Sequence, residues 1–578
     1  TREEYKKMGN DHIKNDKLIG RDRIRDIEKI LNGHCTAWAK IWGTGEDNGH
    51  LERVIDSKKT ISENLANLWL AYKDHKKEKG KSRPIATGCT SNTRGFSNSV
   101  SNFLESVANS QTSKFESISS EDMLSKTKES NKKMAELLEN WKKDRDKKLE
   151  CKECNIKEKV RKRSCHTCHE EDHEETEMES MQRQYDCEEC GEELRDKLEE
   201  NCATCGEGVY REDKELCLLG LDVVALFPSM TSKNTGMIVR RQVLKSPLKI
   251  EGFNWKHGAR YLVVNKQYTG DLKPIWKLLP WKKKSGTIPG MTNTKINSKT
   301  EEIEQEWCFP RREPTDGEIR EIASRVAEVG VRVLFEHFTY RFAGEAYQQS
   351  SGGPIGARVT MAAARLVMVE WGDSYRTSLE IAKLEIGILT GYVDDVRQQS
   401  NCFRMGTRFS VATGTFNITQ AAKDEDKQLR KNENESNNER MKRICLPAIN
   451  SLNKDLVFTA EIPEDFPDKK VPTLDFLLWI SENGMLIHSY FEKLMKTPYV
   501  LMCRSAMSEH QKYSILSNEA IRRFSNIDHQ NVGQSEVEEV LKKMITQMKT
   551  SGYTRKETRE AITSGVLGWK RKIARRKK

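Results

Sequence analysis

Hydrophobic positions along the chain fall into blocks of different period, separated by long polar stretches. Residues 1–80 are polar and helical in pattern. At 68–88, LWLAYKDHKKEKGKSRPIATG sets two short apolar runs about a basic turn and predicts a hairpin, with Lys73, Lys76, Lys77, Lys79, Lys81 and Arg83 near its tip. Residues 113–150 are charged, free of proline and helix-favouring. At 216–227, LCLLGLDVVALF is almost continuously apolar around one acid and predicts a buried strand. In YQQSSGGPIGARVTMAAARLVMVEW, a glycine-rich loop runs into a helix whose apolar face carries Val359, Ala362, Ala363, Leu366, Val367 and Val369. LEIGILTGYVDDVRQQ reads as strand, tight acidic turn, strand.

After a polar connector at 421–442, residues 456–461, 474–479 and 485–491 read as three short strands. A helical, basic end begins near 508. Residues 231–335 read as an insertion with a helix near 316–336, and no fixed-period repeat is present. At 578 residues the chain exceeds one ordinary domain. No apolar run approaches the ~20 residues that cross a bilayer, and no signal-peptide pattern opens the chain. Its start at Thr1 predicts a longer parent product.

Charge is distributed unevenly around the net +11. Residues 541–578 hold thirteen Lys/Arg against two acids, whereas 169–201 hold fifteen Asp/Glu against three basic residues. A basic body with a basic tail suits a phosphate backbone, and Lys570 to Lys578 serve equally as a nuclear-import signal. The expected location is nuclear.

Eight of the fifteen cysteines form four CxxC pairs: Cys151/Cys154, Cys165/Cys168, Cys187/Cys190 and Cys202/Cys205. Two residues between ligands let one turn present both sulfurs, so the set predicts two closed four-thiolate zinc sites of structural type. The short-long-short gaps favour sequential pairing, with a cross-braced pairing left open. His166, His169 and His173 lie beside these ligands.

An acid inside an apolar strand is costly unless paired or bound to a cation, and Asp222 is such a residue. Asp394 and Asp395 stand at the predicted hairpin tip. Two strands delivering carboxylates to one point can hold two divalent ions, with Mg²⁺ favoured by carboxylate and phosphate oxygens. That constellation serves in-line transfer of a nucleotidyl group to a primer 3′-hydroxyl.

Several segments together carry a family resemblance. LDVVALFPS resembles motif A of reverse transcriptases, GGPIGARVT motif B, and YVDD at 392–395 motif C, in that order. KDHK…GKSRPIATGCTSNTRGFSNSVSNFLESV, YQQSSGGPIGA and LVFTAEI…VPTLDFLLWISENGMLIHSYFEK are similar to Penelope-like retroelement reverse transcriptases. The resemblance covers roughly 65–110 and 216–560, leaving out the cysteine block and much of 231–335.

The resemblance implies a right-hand polymerase of α+β class. The N-terminal helical region is 1–64, the fingers and a charged helical linker 65–150, and the double zinc insertion 151–215. The palm, with an antiparallel sheet, is 216–500, and a helical basic thumb 501–578. Asp222 and Asp394 would be Mg²⁺ ligands, the Val223 carbonyl a third contact, and Asp395 a supporting catalytic acid. Phe227 matches the aromatic that excludes a ribose 2′-hydroxyl, so deoxynucleotides are expected. Arg83, with Lys73 and Lys81, matches the cations that hold the triphosphate. Gly356 matches the motif B glycine beside the incoming base. Ile355 replaces the glutamine many such enzymes carry there, which makes nucleotide contacts at that point apolar or backbone. Lys493 falls where a primer-grip turn is expected.

The expected partners are an RNA template, a DNA or RNA primer and dNTPs, with two Mg²⁺ and two Zn²⁺ as cofactors. The competing readings are a telomerase-like or intron-type reverse transcriptase, an RNA-copying RNA polymerase, which Phe227 opposes, and an inactive zinc-dependent RNA-binding protein. No endonuclease constellation is evident in 1–578.

Overall fold

The computed structural model describes residues 2–42, 65–72, 82–87, 94–111, 113–146, 159–164, 171–176, 195–202, 208–210, 216–250, 260–265, 276–280, 292–296, 303–308, 315–404, 406–433, 435–492 and 499–576. It is a mixed α+β protein built around antiparallel sheets. The apolar run at 216–227 becomes the strand Leu216–Val223, followed by a short helix Leu226–Ser229. This strand lies inside a four-stranded antiparallel sheet, between Asp395–Asn401 and Phe458–Glu461, with Ile386–Tyr392 at the far edge.

Period-two alternation sorts the side chains of that sheet into two faces. Cys217, Leu219, Leu221, Val223, Leu389, Val396, Phe458 and Ala460 join the main core. They pack over the helix Arg358–Ile381, whose predicted apolar face is buried as expected, and over Asn437–Ser451. Trp371 of the first helix stacks on Phe458 with ring centroids 4.3 Å apart. On the opposite face, Leu218 and Ile388 meet Met123 and Leu124 of the helix Ser120–Asp146. They also meet Val471, Phe476, Leu478 and Leu486 of a three-stranded sheet, Val471–Thr473, Phe476–Ile480 and Leu486–Tyr490. This second face is therefore covered at one end, and Asp222 lies exposed towards the other.

The hairpin at 68–88 forms as Ala66–Tyr72 paired with Ser82–Thr87. It joins a five-stranded sheet with Lys17–Leu18, Thr339–Phe342 and Glu345–Gln348. The pairing of Thr339–Phe342 with Ala66–Tyr72 is parallel. Three helices, Glu509–Ser525, Gln534–Thr550 and Arg555–Arg576, form the basic end. Leu516, Ala520, Met544, Met548, Tyr553 and Ala561 fill its core.

Three expectations need correction. The polar connector at 421–442 is helical, as Gln420–Glu433 and Asn437–Ser451. A reciprocal capping box between Ser436 and Glu439 starts the second helix, and that S-x-x-E spacing was legible in the sequence. The strand expected from 474 starts at Phe476, because Leu474 sits at φ 50° and makes the turn. Within 231–335, a second helix, Ser232–Lys245, packs against Asp316–Glu336. Four strands between Arg260 and Cys308 form a separate sheet there. In the cysteine block, Lys159–Ser164, Glu171–Thr176, Arg195–Cys202 and Gly208–Tyr210 pair as an antiparallel sheet.

Candidate catalytic carboxylate site

Strand register brings the predicted acids together. Asp395 pairs directly with Asp222, and Asp222 with Thr459 on the other side. Directly opposed residues share a face with Cβ atoms about 5 Å apart, so Asp222 and Asp395 project from the same open surface. Asp394 occupies the hairpin turn, and its carbonyl accepts the Val223 amide at 3.3 Å, which ties the turn to the Leu216–Val223 strand. Asp222 and Asp394 are both exposed, which corrects the expectation of a buried Asp222. The strand is apolar because its other positions are inside; the acid sits where the covering layer ends.

The acids are not equivalent. Asp395 Oδ1 lies 2.6 Å from Arg397 Nη1, and its Oδ2 accepts the Leu474 amide at 3.3 Å. Arg397 is buried and fixed by the Thr473 hydroxyl at 2.6 Å, the Val396 carbonyl at 2.7 Å and the Pro472 carbonyl. Asp395 is therefore neutralised from within. Partial desolvation pushes the Asp222 carboxyl up to about 6, helped by the negative charges of Asp394, Asp395 and Glu461 and opposed by Arg397. Glu461, opposite Gly220 in register, is also raised, by burial first and then by Asp395 and Asp465.

Backbone strain collects around this site. Among the described residues, six non-glycine residues have positive φ, and Ala225, Val393 and Leu474 are three of them. Ala225 follows the Leu216–Val223 strand, Val393 is in the acidic turn, and Leu474 donates to Asp395. A β-branched residue at φ 57° costs about 1–2 kcal/mol and persists where surrounding contacts fix it.

The Gly352–Gly356 loop packs against the short helix Leu226–Ser229 that follows the Asp222 strand. Gly352 has φ 81°, and a Cβ there would lie 2.6 Å from the Pro228 carbonyl oxygen. Gly356 has φ 102°, and its Cβ would lie 2.2 Å from the Ala86 carbonyl oxygen. Ile355 is half-buried and its carbonyl accepts the Ala86 amide at 2.8 Å, linking the loop to the hairpin of Ala66–Tyr72 and Ser82–Thr87. Phe227 is half-buried against the core, and its carbonyl accepts the Gly353 amide at 2.7 Å. A 230 Å³ cleft opens nearby, lined among others by Ile355, Pro228, Ala86, Ser350 and Asp16. Sequence reasoning missed Asp16 and Arg397. The first accepts from Tyr340 at 2.6 Å and from the Ser350 amide at 2.9 Å. The second stood two residues past the acidic box, in plain view.

Arg83 lies on its predicted strand, opposite Ala71. Lys73, Lys81 and Lys493 lie outside the described residues. So do Cys151, Cys154, Cys165, Cys168, Cys187, Cys190 and Cys205, while Cys202 is described only as the backbone end of a strand. Among the described residues, no group of three or more His, Cys, Asp or Glu side chains is gathered as a metal cage, and no helix is long and apolar enough to cross a membrane.

No family model and no curated protein matches the chain. Among solved structures, telomerase from Candida albicans in complex with a TWJ fragment of telomeric RNA is similar at 8% identity and a TM-score of 0.28. The match covers 58% of this chain and 39% of the other. A likeness of that size fixes neither architecture nor activity, so the residues must carry the chemistry.

Proposed function

We propose that the protein is an RNA-directed DNA polymerase of the Penelope-like retroelement kind, with the right-hand arrangement of fingers, palm and thumb. The observation that carries this reading is the register of Asp222 against Asp395, with Asp394 at the turn, on the open end of the four-stranded sheet.

The donor chemistry fits Mg²⁺. Asp222 is a carboxylate crowded by negative charge, and Mg²⁺ is commonly held by one or two carboxylates completed by substrate phosphates and water rather than by a closed protein cage. Asp222, Asp394 and the Val223 carbonyl would hold it. When bound, Mg²⁺ lowers the pKa of a primer 3′-hydroxyl and neutralises charge on the triphosphate. Asp395, neutralised by Arg397, keeps the hairpin aligned without adding a third uncompensated charge. Phe227 would stand against the nucleotide sugar, and Arg83, Lys73 and Lys81 would hold the triphosphate. The Gly352–Gly356 loop would present backbone and Ile355 to the incoming base pair. Exposed Lys549, Arg555, Lys556, Arg559, Lys570 and Arg571 suit the thumb to a template–primer backbone. The eight paired cysteines would hold two structural Zn²⁺, and the basic tail would serve nuclear import.

Primer extension on an RNA template with dNTPs and Mg²⁺ tests this reading. Wild type should extend and Asp394→Ala should not. With Phe227→Ala, rNTP incorporation should rise relative to dNTP. Folded, zinc-loaded wild type that binds RNA yet never extends a primer would overturn the enzymatic reading in favour of an RNA-binding protein.

A further inference from the structure

Behind the carboxylate strands lies a group of thiols that the proposed chemistry does not use. Cys217 is on the motif A strand, fully buried and opposite Ser400 in register. Cys402 follows two residues after Ser400, is partly exposed, and is in side-chain hydrogen-bonding contact with Cys217. Both are reduced. Cys445 lies close by on the helix Asn437–Ser451, with its thiol 3.4 Å from Met441 Sδ.

Arg440 of the same helix is buried and directs two donors at one sulfur. Its Nη2 is 2.9 Å and its Nε 3.3 Å from Cys402 Sγ, while Nη2 also reaches Asn437 Oδ1 at 3.1 Å. Cys402 Sγ is in turn 3.6 Å from the Asn437 carbonyl. A guanidinium donating twice to sulfur stabilises thiolate over thiol, and the thiolate is the nucleophile. Cys217 has the opposite environment: contact with the neighbouring sulfur, then burial, keeps it protonated.

We propose that Cys402 and Cys217 form a peroxide-responsive dithiol, with Cys402 the attacking thiolate and Cys217 the resolving thiol. The Cys402 thiolate displaces hydroxide from hydrogen peroxide and becomes a sulfenic acid, and the hydroxide takes up the proton that the thiol released on ionising and leaves as water. The Cys217 sulfur then attacks the sulfenic sulfur, and the departing hydroxyl leaves as water with the Cys217 proton. In sum, two thiols and one peroxide give one disulfide and two waters. The bond staples the strand carrying Asp222 to the strand carrying Asp395, at the end away from the acids. Ser400, the register partner of Cys217, lies two residues before Cys402, which places the two thiols at neighbouring positions of the paired strands. This inference does not depend on the polymerase reading.

The test uses the full zinc-loaded chain, treated with hydrogen peroxide, quenched by alkylation and mapped as non-reduced peptides. Cys503, also partly exposed and reduced, is the internal reference. Cys402 should oxidise about tenfold faster than Cys503, and a peptide linking Cys217 to Cys402 should appear and vanish on reduction. Arg440→Gln should slow Cys402 about tenfold. Cys402→Ser, which keeps a hydrogen-bonding group beside Arg440, should leave Cys217 unoxidised in folded protein. Oxidation of Cys402 no faster than Cys503, a link to Cys445 instead, or sulfinic acid without any link would overturn the proposal.

Discussion

Asp222 and Asp426 are two acids with opposite surroundings. Asp426 has no exposed side-chain surface, yet its carboxyl is held below the usual range. Burial pushes it up, but Arg408 at 2.8 Å, the Gly406 amide at 2.8 Å and Arg443 at 2.7 Å outweigh that. Asp222 is exposed, yet its carboxyl is raised to about 6, because partial desolvation is joined by three carboxylates that together outweigh the one opposing cation, Arg397. Burial therefore does not decide which acid is comfortable; partners do. An acid satisfied from every side holds loops together. One left facing other acids is poised to accept a cation from outside. Asp395 falls between the two, in the acidic cluster but paired with Arg397.

The largest effect should separate the two acids by activity. Asp222→Asn should lower primer extension at least about a thousandfold while leaving the fold intact. Asp426→Asn should lower it only in proportion to the folded fraction. Single-turnover extension beside circular dichroism for each variant measures this. Equal losses from both, in fully folded protein, would break the distinction.

How far the sequence reveals such a distinction depends on the kind of signal. Asp222, Asp394 and Asp395 were legible because acids among apolar strand residues stand out, and strand register did bring them together. The helix Arg358–Ile381 was legible from its period alone. Asp426 was invisible, since an acid within QAAKDEDKQLRKNE is locally one charge among many. Its partner Arg408 comes from the Thr407–Ser410 strand, and Arg443 from the next helix. Arg397 was adjacent to the acids, but its role needed Thr473 and Pro472, some 75 residues on. Exposure of Asp222 was misjudged for the same reason: where a covering layer ends is a tertiary fact.

A second contrast concerns stability. Asp426→Asn removes the shared anion from two partly buried guanidiniums and should cost about 3 kcal/mol. Chemical denaturation should show a lower midpoint at unchanged slope. Asp222→Asn should not destabilise, because it removes a charge that its neighbours repel. A matching loss from both variants would mean that Asp222 has a structural partner after all.

The smallest effect is the most diagnostic, because the two acids respond to pH with opposite sign. Asp222 is raised in the folded state, from 3.8 to about 6, so the native chain binds more protons than the unfolded chain between those values. Its contribution is therefore fully favourable below about pH 4 and is lost as pH rises through 6. Asp426 is depressed, so its contribution is present above about pH 4 and is lost as pH falls through its lower folded value. Solvent screening at exposed Asp222 limits its share to about 1 kcal/mol or less. In EDTA, to keep divalent ions away, denaturation midpoints from pH 7 to pH 4 should include a small gain that Asp222→Asn abolishes. Added Mg²⁺ at pH 7 should restore part of that stability to wild type and none to the variant, since the cation replaces the proton as the charge Asp222 faces. If wild type and Asp222→Asn track each other across that range, the repulsion around Asp222 is absent, and the reason for reading it as a cation-binding acid goes with it.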